Sequence, residues 1–337
     1  MARINKNRLE AGPPQEIRLI RLLIAAYFFL LLFEGALRKW VTPGLSTPLL
    51  VVRDPIVIVI YFLSFSLGIF PNNKFIGNLT KLAVACTVAS FMAGSGLVVT
   101  VFGLRTNFLH LPMIFIMARV LTYEDVIKYG KWFVYLSLPM TYVVAQQFQA
   151  NPDDMINTVA GGSGRQLETS GGKVRSSGTF TFISGVVYYF SFVAAFAIIG
   201  LLRKKTFNLY LVFMACASIM LAMVTSGSRS VVAGCAEVFG CTLLMAYFRP
   251  RSVNLLFGVI IMLGLVALLV NQIDLFGEGL KFLNLRFEEA ASAEMGPIEE
   301  FFARNGEILA SPLNYSLHAG LFGRGLGTGT NAAAGLG

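Results

Sequence analysis

Apolar residues come in long, nearly unbroken runs from Leu19 to Ile273, separated by short polar or basic segments. A hydrocarbon core of roughly 30 Å takes about 20 apolar residues of helix, so runs of this length predict membrane-crossing helices. The pattern predicts about nine, over 18–37, 55–70, 79–103, 107–121, 130–150, 179–201, 207–226, 229–248 and 253–273. The expected fold is an all-α polytopic membrane protein. Its transmembrane helical domain covers 1–273 and includes an extracytoplasmic loop over 151–178, and a large extracytoplasmic segment covers 274–337. The first run follows a basic, polar segment, contains Glu34 and lacks a small-residue cleavage site, so it reads as an uncleaved anchor.

Composition agrees. The chain is 55% hydrophobic and 13% charged with a mean hydropathy of +0.69, which excludes an ordinary soluble domain. The cysteines Cys86, Cys216, Cys235 and Cys241 all fall inside apolar runs and lack the paired spacing of zinc or redox motifs. They read as packing residues, and neither a metal nor a cofactor is expected. A net charge of +9 would suggest nucleic acid in a soluble protein. In a membrane protein the basic residues must first be sorted by side, and no nucleic-acid partner is expected.

With the N-terminus in the cytoplasm, the inner segments hold Arg3, Lys6, Arg8 and Arg18, then Lys74 and Lys81, Lys128 and Lys131, Arg203 with Lys204 and Lys205, and Arg249 with Arg251. Every inner loop is then positive, as the positive-inside rule requires. A second set of cations is left at the outer face: Arg38 and Lys39 end the first run, and Arg53, Arg105, Arg175 and Arg229 precede the second, fourth, sixth and eighth. Helix N-termini carry partial positive charge and unpaired N–H groups, so an arginine beside each one concentrates anion-binding capacity. Arginine's planar fork suits phosphate oxygens. In Arg53-Asp54-Pro55 the aspartate can cap and the proline can open a helix, and in Ser226-Gly227-Ser228-Arg229 a serine can cap. Interfacial arginines also snorkel to headgroups or pair with acids, as Arg38 can with Glu34 and Arg53 with Asp54. Arg175 and Arg229 have no acid close by in sequence and carry the most weight.

The outer segments add chemistry. Residues 151–178 are rich in glycine, and Leu280–Phe302 mixes apolar residues with Glu288, Glu289, Glu294, Glu299 and Glu300, predicting an amphipathic helix over the outer mouth. The glycine run Gly323–Gly329 lacks the preceding strand and following lysine of a nucleotide loop, and reads as a tight turn that lets backbone approach a glycan or a neighbouring helix. His110 and His318 lie on the arginine side and are candidate general bases for an acceptor hydroxyl, alongside Glu288 and Glu289. Gly94-Ser95-Gly96 permits close packing or a local break, with packing the expectation. No ionisable cluster is expected at mid-span, which speaks against proton- or sodium-coupled transport.

Four segments, Phe33-Glu34-Gly35-Ala36-Leu37-Arg38-Lys39-Trp40, Gly103-Leu104-Arg105-Thr106, Val174-Arg175-Ser176-Ser177-Gly178-Thr179-Phe180 and Thr225-Ser226-Gly227-Ser228-Arg229-Ser230, resemble the O-antigen ligase and O-antigen polymerase family of bacterial membrane glycan transferases. The last two are similar to that family's paired arginine motifs. The resemblance covers most of the chain and implies a location in the bacterial inner (cytoplasmic) membrane. It implies a glycan donor linked to undecaprenyl diphosphate, a glycan or lipid acceptor, and metal-independent glycosyl transfer on the periplasmic side. It casts Arg38, Arg53, Arg105, Arg175 and Arg229 as diphosphate ligands, with Arg175, Arg229 and His318 catalytic. The family ligases follow their loop histidine with asparagine, whereas Ala319 follows His318 here. The family also continues into closing spans, which the chain to Gly337 is expected to lack.

Ligation and polymerisation of the lipid-linked glycan remain open alternatives. A transporter or flippase for an anionic or lipid-linked substrate is the second reading, and a noncatalytic assembly subunit the third.

Overall fold

The computed structural model describes residues 15–161, 166–168, 171–202, 206–248, 253–292, 306–307, 310–311, 314 and 322–328. Its regular elements are helical: α1 (Gln15–Ala36), α2 (Ser46–Leu49), α3 (Asp54–Ser66), α4 (Lys74–Met92), α5 (Leu97–Leu104), α6 (Met113–Val120), α7 (Tyr123–Gln149), α8 (Ile183–Leu202), α9 (Leu209–Thr225), α10 (Arg229–Phe248), α11 (Val253–Val270) and α12 (Asp274–Ser292). Local chemistry explains several starts. Asn73 accepts from the Ile76 N–H at 2.8 Å ahead of α4, and Thr122 with Asp125 forms a reciprocal capping box ahead of α7. Pro55 lies in the first turn of α3, where a missing N–H is harmless.

Among the described residues, five helical stretches are long and apolar enough to cross a membrane: Gln15–Val41, Pro43–Ser66, Lys74–Met92, Leu97–Val120 and Ile183–Leu201. The pair Ile260–Val270 and Asp274–Glu289, bent by 108°, makes up to six. Their outward sides are apolar, with Phe62 71% and Tyr188 68% exposed, as a lipid-facing surface demands.

The predicted third and fourth runs are divided differently from expectation. The chain breaks at Gly94, whose φ of 78° suits glycine, and then runs helically from Leu97 to Val120. Gly94-Ser95-Gly96 is therefore a break rather than a packing face. Arg105 consequently does not stand at a helix N-terminus; it opens a π-helical turn, Arg105–Leu109, inside that stretch. Three more residues shift. Lys128 and Lys131 belong to the early turns of α7 rather than to a loop, because the capping box starts that helix at Tyr123. Arg175 lies in an irregular segment well ahead of α8, which starts at Ile183.

The chain forms two compact units, Met1–Phe29 with Val51–Leu121 and Ile298–Gly337, and Leu30–Leu50 with Thr122–Pro297. Within unit 1, Arg21 donates to the Val120 carbonyl at 2.9 Å, tying α1 to α6. The glycine loop packs on α4 and α5: the Leu326 N–H donates to Ser90 Oγ at 2.7 Å, and a Cβ added to Gly327 would lie 2.3 Å from the Val99 carbonyl. Of the two uses expected for that loop, approach to a neighbouring helix is the one seen.

Unit 2 is a helical bundle. Thr141 Oγ1 donates to the Ser218 carbonyl at 3.1 Å between α7 and α9, and Tyr189 Oη donates to the Phe133 carbonyl at 2.7 Å between α8 and α7. The predicted amphipathic helix exists, but begins at Asp274, and residues 293–302 of the predicted range lie outside the described residues. It lies on α9, where Gly279 meets Val224 so closely that an added Cβ would be 2.9 Å from Val224 Cγ2. Phe282 is buried and sits edge-on to Phe148, 5.5 Å between ring centres.

Candidate functional site

The segment Val174–Thr181 crosses unit 2 without regular structure, yet Val174, Ser176, Ser177 and Thr179 are buried. Buried backbone outside helices must find partners elsewhere, and several here come from distant segments. The Arg175 N–H donates to the Leu167 carbonyl at 2.8 Å, and the Ser176 N–H to the Ser226 carbonyl at 3.1 Å. Ser176 Oγ donates to the Thr225 carbonyl at 3.2 Å. Thr179 Oγ1 donates to the Leu32 carbonyl at 2.6 Å on α1.

Gly178 is the knot of the segment. Its φ of 58° selects glycine, its N–H donates to Gln147 Oε1 at 2.8 Å, and its carbonyl accepts from Gln147 Nε2 at 3.3 Å and Lys39 Nζ at 2.6 Å. Lys39 also donates to Ser177 Oγ at 3.0 Å and is 2% exposed. Beside it Arg38 donates to the Ser46 carbonyl at 2.9 Å, to Thr181 Oγ1 at 3.4 Å and to Glu34 at 3.3 Å. The pairing of Arg38 with Glu34 one turn earlier is thus present. Gly35 permits all of this, since a Cβ there would lie 2.4 Å from the Thr179 carbonyl oxygen.

Arg229 opens α10 directly after the turn that Ser176 touches. Gly227, with φ of 64°, lets that turn lie against the Val174 carbonyl and the Arg175 backbone. Arg175 and Arg229 therefore leave two strands of backbone bonded side by side. Three of the four quoted segments, around Glu34–Lys39, Val174–Thr181 and Thr225–Arg229, meet in one hydrogen-bonded cluster.

The fourth segment lies in unit 1 with the other two predicted arginines. Asp54, expected to cap, instead turns its carboxylate to Arg105 Nε, and its second oxygen stands 3.6 Å from His110 Nε2. His110 Nδ1 is 3.4 Å from Tyr27 Oη, and the Arg53 guanidinium lies over the Tyr27 ring at 5.6 Å. By helix bounds these groups are near the middle of three candidate spans, Gln15–Val41, Pro43–Ser66 and Leu97–Val120. An ionisable cluster at mid-span was not expected, and the shift of the helix break to Gly94 is what places it there.

Of the predicted site residues, Arg38, Arg175 and Arg229 belong to unit 2 and Arg53 and Arg105 to unit 1. His318 lies outside the described residues. Glu289 is engaged by Arg286 at 2.5 Å. Lys39 and Gln147 are site residues that sequence reasoning missed as such. A lysine at the end of one apolar helix and an amide inside another were the available signals, since a polar group in such a place needs a buried partner. Among the described residues no group of three or more His, Cys, Asp or Glu could hold a metal ion. Comparison of the chain with family models, curated proteins and solved structures finds no match.

Proposed function

We propose that this chain transfers or polymerises a glycan carried on undecaprenyl diphosphate at the periplasmic face of a bacterial inner membrane, in the manner of the O-antigen ligase and polymerase family. The observation that carries the reading is the cluster in unit 2, where the segments bearing Arg38, Lys39, Arg175 and Arg229 are hydrogen-bonded together around Gly178. The knot holds the backbone of Arg175 against the turn that precedes Arg229, and two arginines carried on adjoining segments suit a ligand with several negative charges. An N-terminus in the cytoplasm, with about nine spans, brings the Arg175 and Arg229 end of the bundle to the outer side.

In this reaction the acceptor hydroxyl oxygen attacks the anomeric carbon, and the bond from that carbon to the diphosphate oxygen breaks. The diphosphate departs with the electron pair, and the hydroxyl proton passes to a base, for which His318 is the leading candidate and Glu288 and Glu289 the others. Negative charge grows on the leaving diphosphate, so fixed cations lower the barrier more than they stabilise the bound donor. Arg175 and Arg229 take that role, with Arg38 supporting, whereas Arg53 and Arg105, expected as diphosphate ligands, belong to unit 1, where Arg105 pairs with Asp54. Chain transfer from a polyprenyl-diphosphate-linked glycan, measured with Arg175→Ala and with Arg229→Ala, tests the reading. Each should lose roughly 100-fold or more in turnover, the scale of removing one charge-stabilising donor; full activity in both sinks it.

One observation favours the second reading, a transporter or flippase. The Asp54, Arg105, His110 and Tyr27 cluster lies at mid-span in unit 1, the place where ion-coupled carriers keep ionisable groups. Uptake into vesicles without any change in glycan length would favour it over transfer.

A further inference from the structure

In unit 1, one carboxylate serves two partners from a single turn. Arg105 and His110 lie five residues apart, and in an α-helix, at about 100° per residue, side chains so spaced point about 140° apart. Arg105–Leu109 is instead a π-helical turn, whose bonds join residue i to i+5 and so bring residues five apart onto one side. The two side chains thereby share Asp54: its Oδ2 accepts from Arg105 Nε, and its Oδ1 stands 3.6 Å from His110 Nε2. That Oδ1 atom is buried and accepts no hydrogen bond from the described residues. A buried carboxylate oxygen left in this way costs free energy, and the imidazole is the donor placed to relieve it. Single π-turns of this kind occur often at functional sites.

The other ring nitrogen meets a group that can reverse its bond. His110 Nδ1 is 3.4 Å from Tyr27 Oη on α1. A neutral imidazole carries one N–H and an imidazolium two. With the ring neutral, Nε2–H faces Asp54 and the phenol O–H donates to Nδ1. With a proton added at Nδ1, the phenol oxygen accepts instead, and Nε2–H still faces the carboxylate. Both charge states keep partners at both nitrogens, and only the phenol hydrogen turns. Among the described residues, the titratable and charged groups facing the ring are Tyr27 of α1, Arg53 and Asp54 at the start of α3, and Arg105 of the π-turn. Tyr61 of α3 holds that turn, donating to the Leu109 carbonyl at 2.5 Å. The His110 side chain remains 28% exposed, so water can reach it, although by helix bounds it lies near the middle of the candidate span Leu97–Val120. We propose that His110 is a proton-binding site inside the membrane-spanning part of unit 1, with Asp54 as its counter-ion and Tyr27 as its reversible partner. The step needs no co-reactant beyond water: hydronium gives up a proton, one N–H bond forms at Nδ1, and the ring gains a single positive charge. The inference goes beyond glycan transfer and depends on neither reading above.

The chain has 2 histidines, so His318→Gln leaves His110 as the sole imidazole. Its ring nitrogens, labelled with nitrogen-15 in the full chain and followed by NMR in phosphatidylcholine nanodiscs from about pH 4 to 8, report both protonation state and tautomer. The neutral ring should carry its hydrogen on Nε2, and acidification should convert it to the form with two. Asp54→Asn should move the midpoint by about one pH unit or more, a tenfold change in proton affinity. Tyr27→Phe removes the partner of Nδ1 and should let the neutral ring adopt the other tautomer as well. A ring that stays neutral throughout, a neutral hydrogen found on Nδ1, or a midpoint unmoved by Asp54→Asn overturns the proposal. Should Asp54→Asn fail to fold, the parent carboxylate replaces it as the readout. The carbon-13 signal of the Asp54 carboxylate should then move at the same pH as the ring nitrogens, and a signal that does not move with them overturns the proposal. Failure here leaves glycan transfer, which is tested at Arg175 and Arg229, untouched.

Discussion

Lys39 Nζ donates a 2.6 Å hydrogen bond to the carbonyl of Gly178, at the centre of a polar knot in which three of the motif segments share partners. The ammonium also bonds Ser177 Oγ at 3.0 Å and rests over the Trp40 ring at 4.6 Å, with 2% of the residue exposed. Such a group works by fixing the backbone that carries Arg175. Lys39→Met keeps the length of the side chain but removes its donors. The loss leaves a buried carbonyl short of its shortest bond, and about 1–3 kcal/mol of stability should go with it. Denaturant unfolding in detergent measures this, and a variant as stable as the parent would show that the bond contributes nothing.

Gly178 should resist any side chain. A left-handed backbone costs an L-residue roughly 1–2 kcal/mol, and a Cβ here would also lie 2.8 Å from Met140 Sδ. Gly178→Ala is expected to lower stability by about that amount or more. Adding Met140→Ala should relieve the contact but not the backbone strain, so rescue should be partial in thermal unfolding.

Gly35→Ala is the harsher case. The added Cβ would meet the Thr179 carbonyl oxygen at 2.4 Å and the Phe180 carbonyl carbon at 2.6 Å, both backbone atoms that cannot swing away. Loss of folded, monodisperse protein on size exclusion is the expected outcome. Gly44→Ala, with nothing within 4 Å of its added Cβ, provides the comparison and should elute like the parent.

The pair of Asp54 with Arg105 in unit 1 has side chains 12% and 16% exposed. Breaking a buried pair from one side strands the other charge, so Asp54→Asn should cost about 3–5 kcal/mol. The double variant Asp54→Asn with Arg105→Gln should be milder than the sum of the two single ones, because neither charge is then stranded. A double-mutant cycle of unfolding free energies reads the coupling directly, and additive losses would deny it.

Much of the helical layout was legible from residues alone. Apolar runs, the Asn73 cap, the Thr122–Asp125 box and Pro55 act within a turn or two, so helices near 18–37, 183–202, 209–225 and 229–248 follow from local pattern. The runs over 79–103 and 107–121 were misdivided because hydropathy does not register a backbone break at Gly94, where both sides are equally apolar. That one displacement moved Arg105 from a helix start to a π-helical turn beside Asp54.

The site divides in the same way. That Arg38, Arg175 and Arg229 stand at helix ends or in polar turns is a property of the sequence, set by the cost of placing a guanidinium in hydrocarbon. That Arg105 and His110 meet Asp54 while Arg53 lies over Tyr27, and that Lys39 reaches Gly178 across 139 residues, was decided by tertiary structure alone. Local pattern determines which segments become helix, because those forces act over a few residues. Which buried donor meets which orphaned carbonyl depends on how the helices pack, and only the folded chain holds that information.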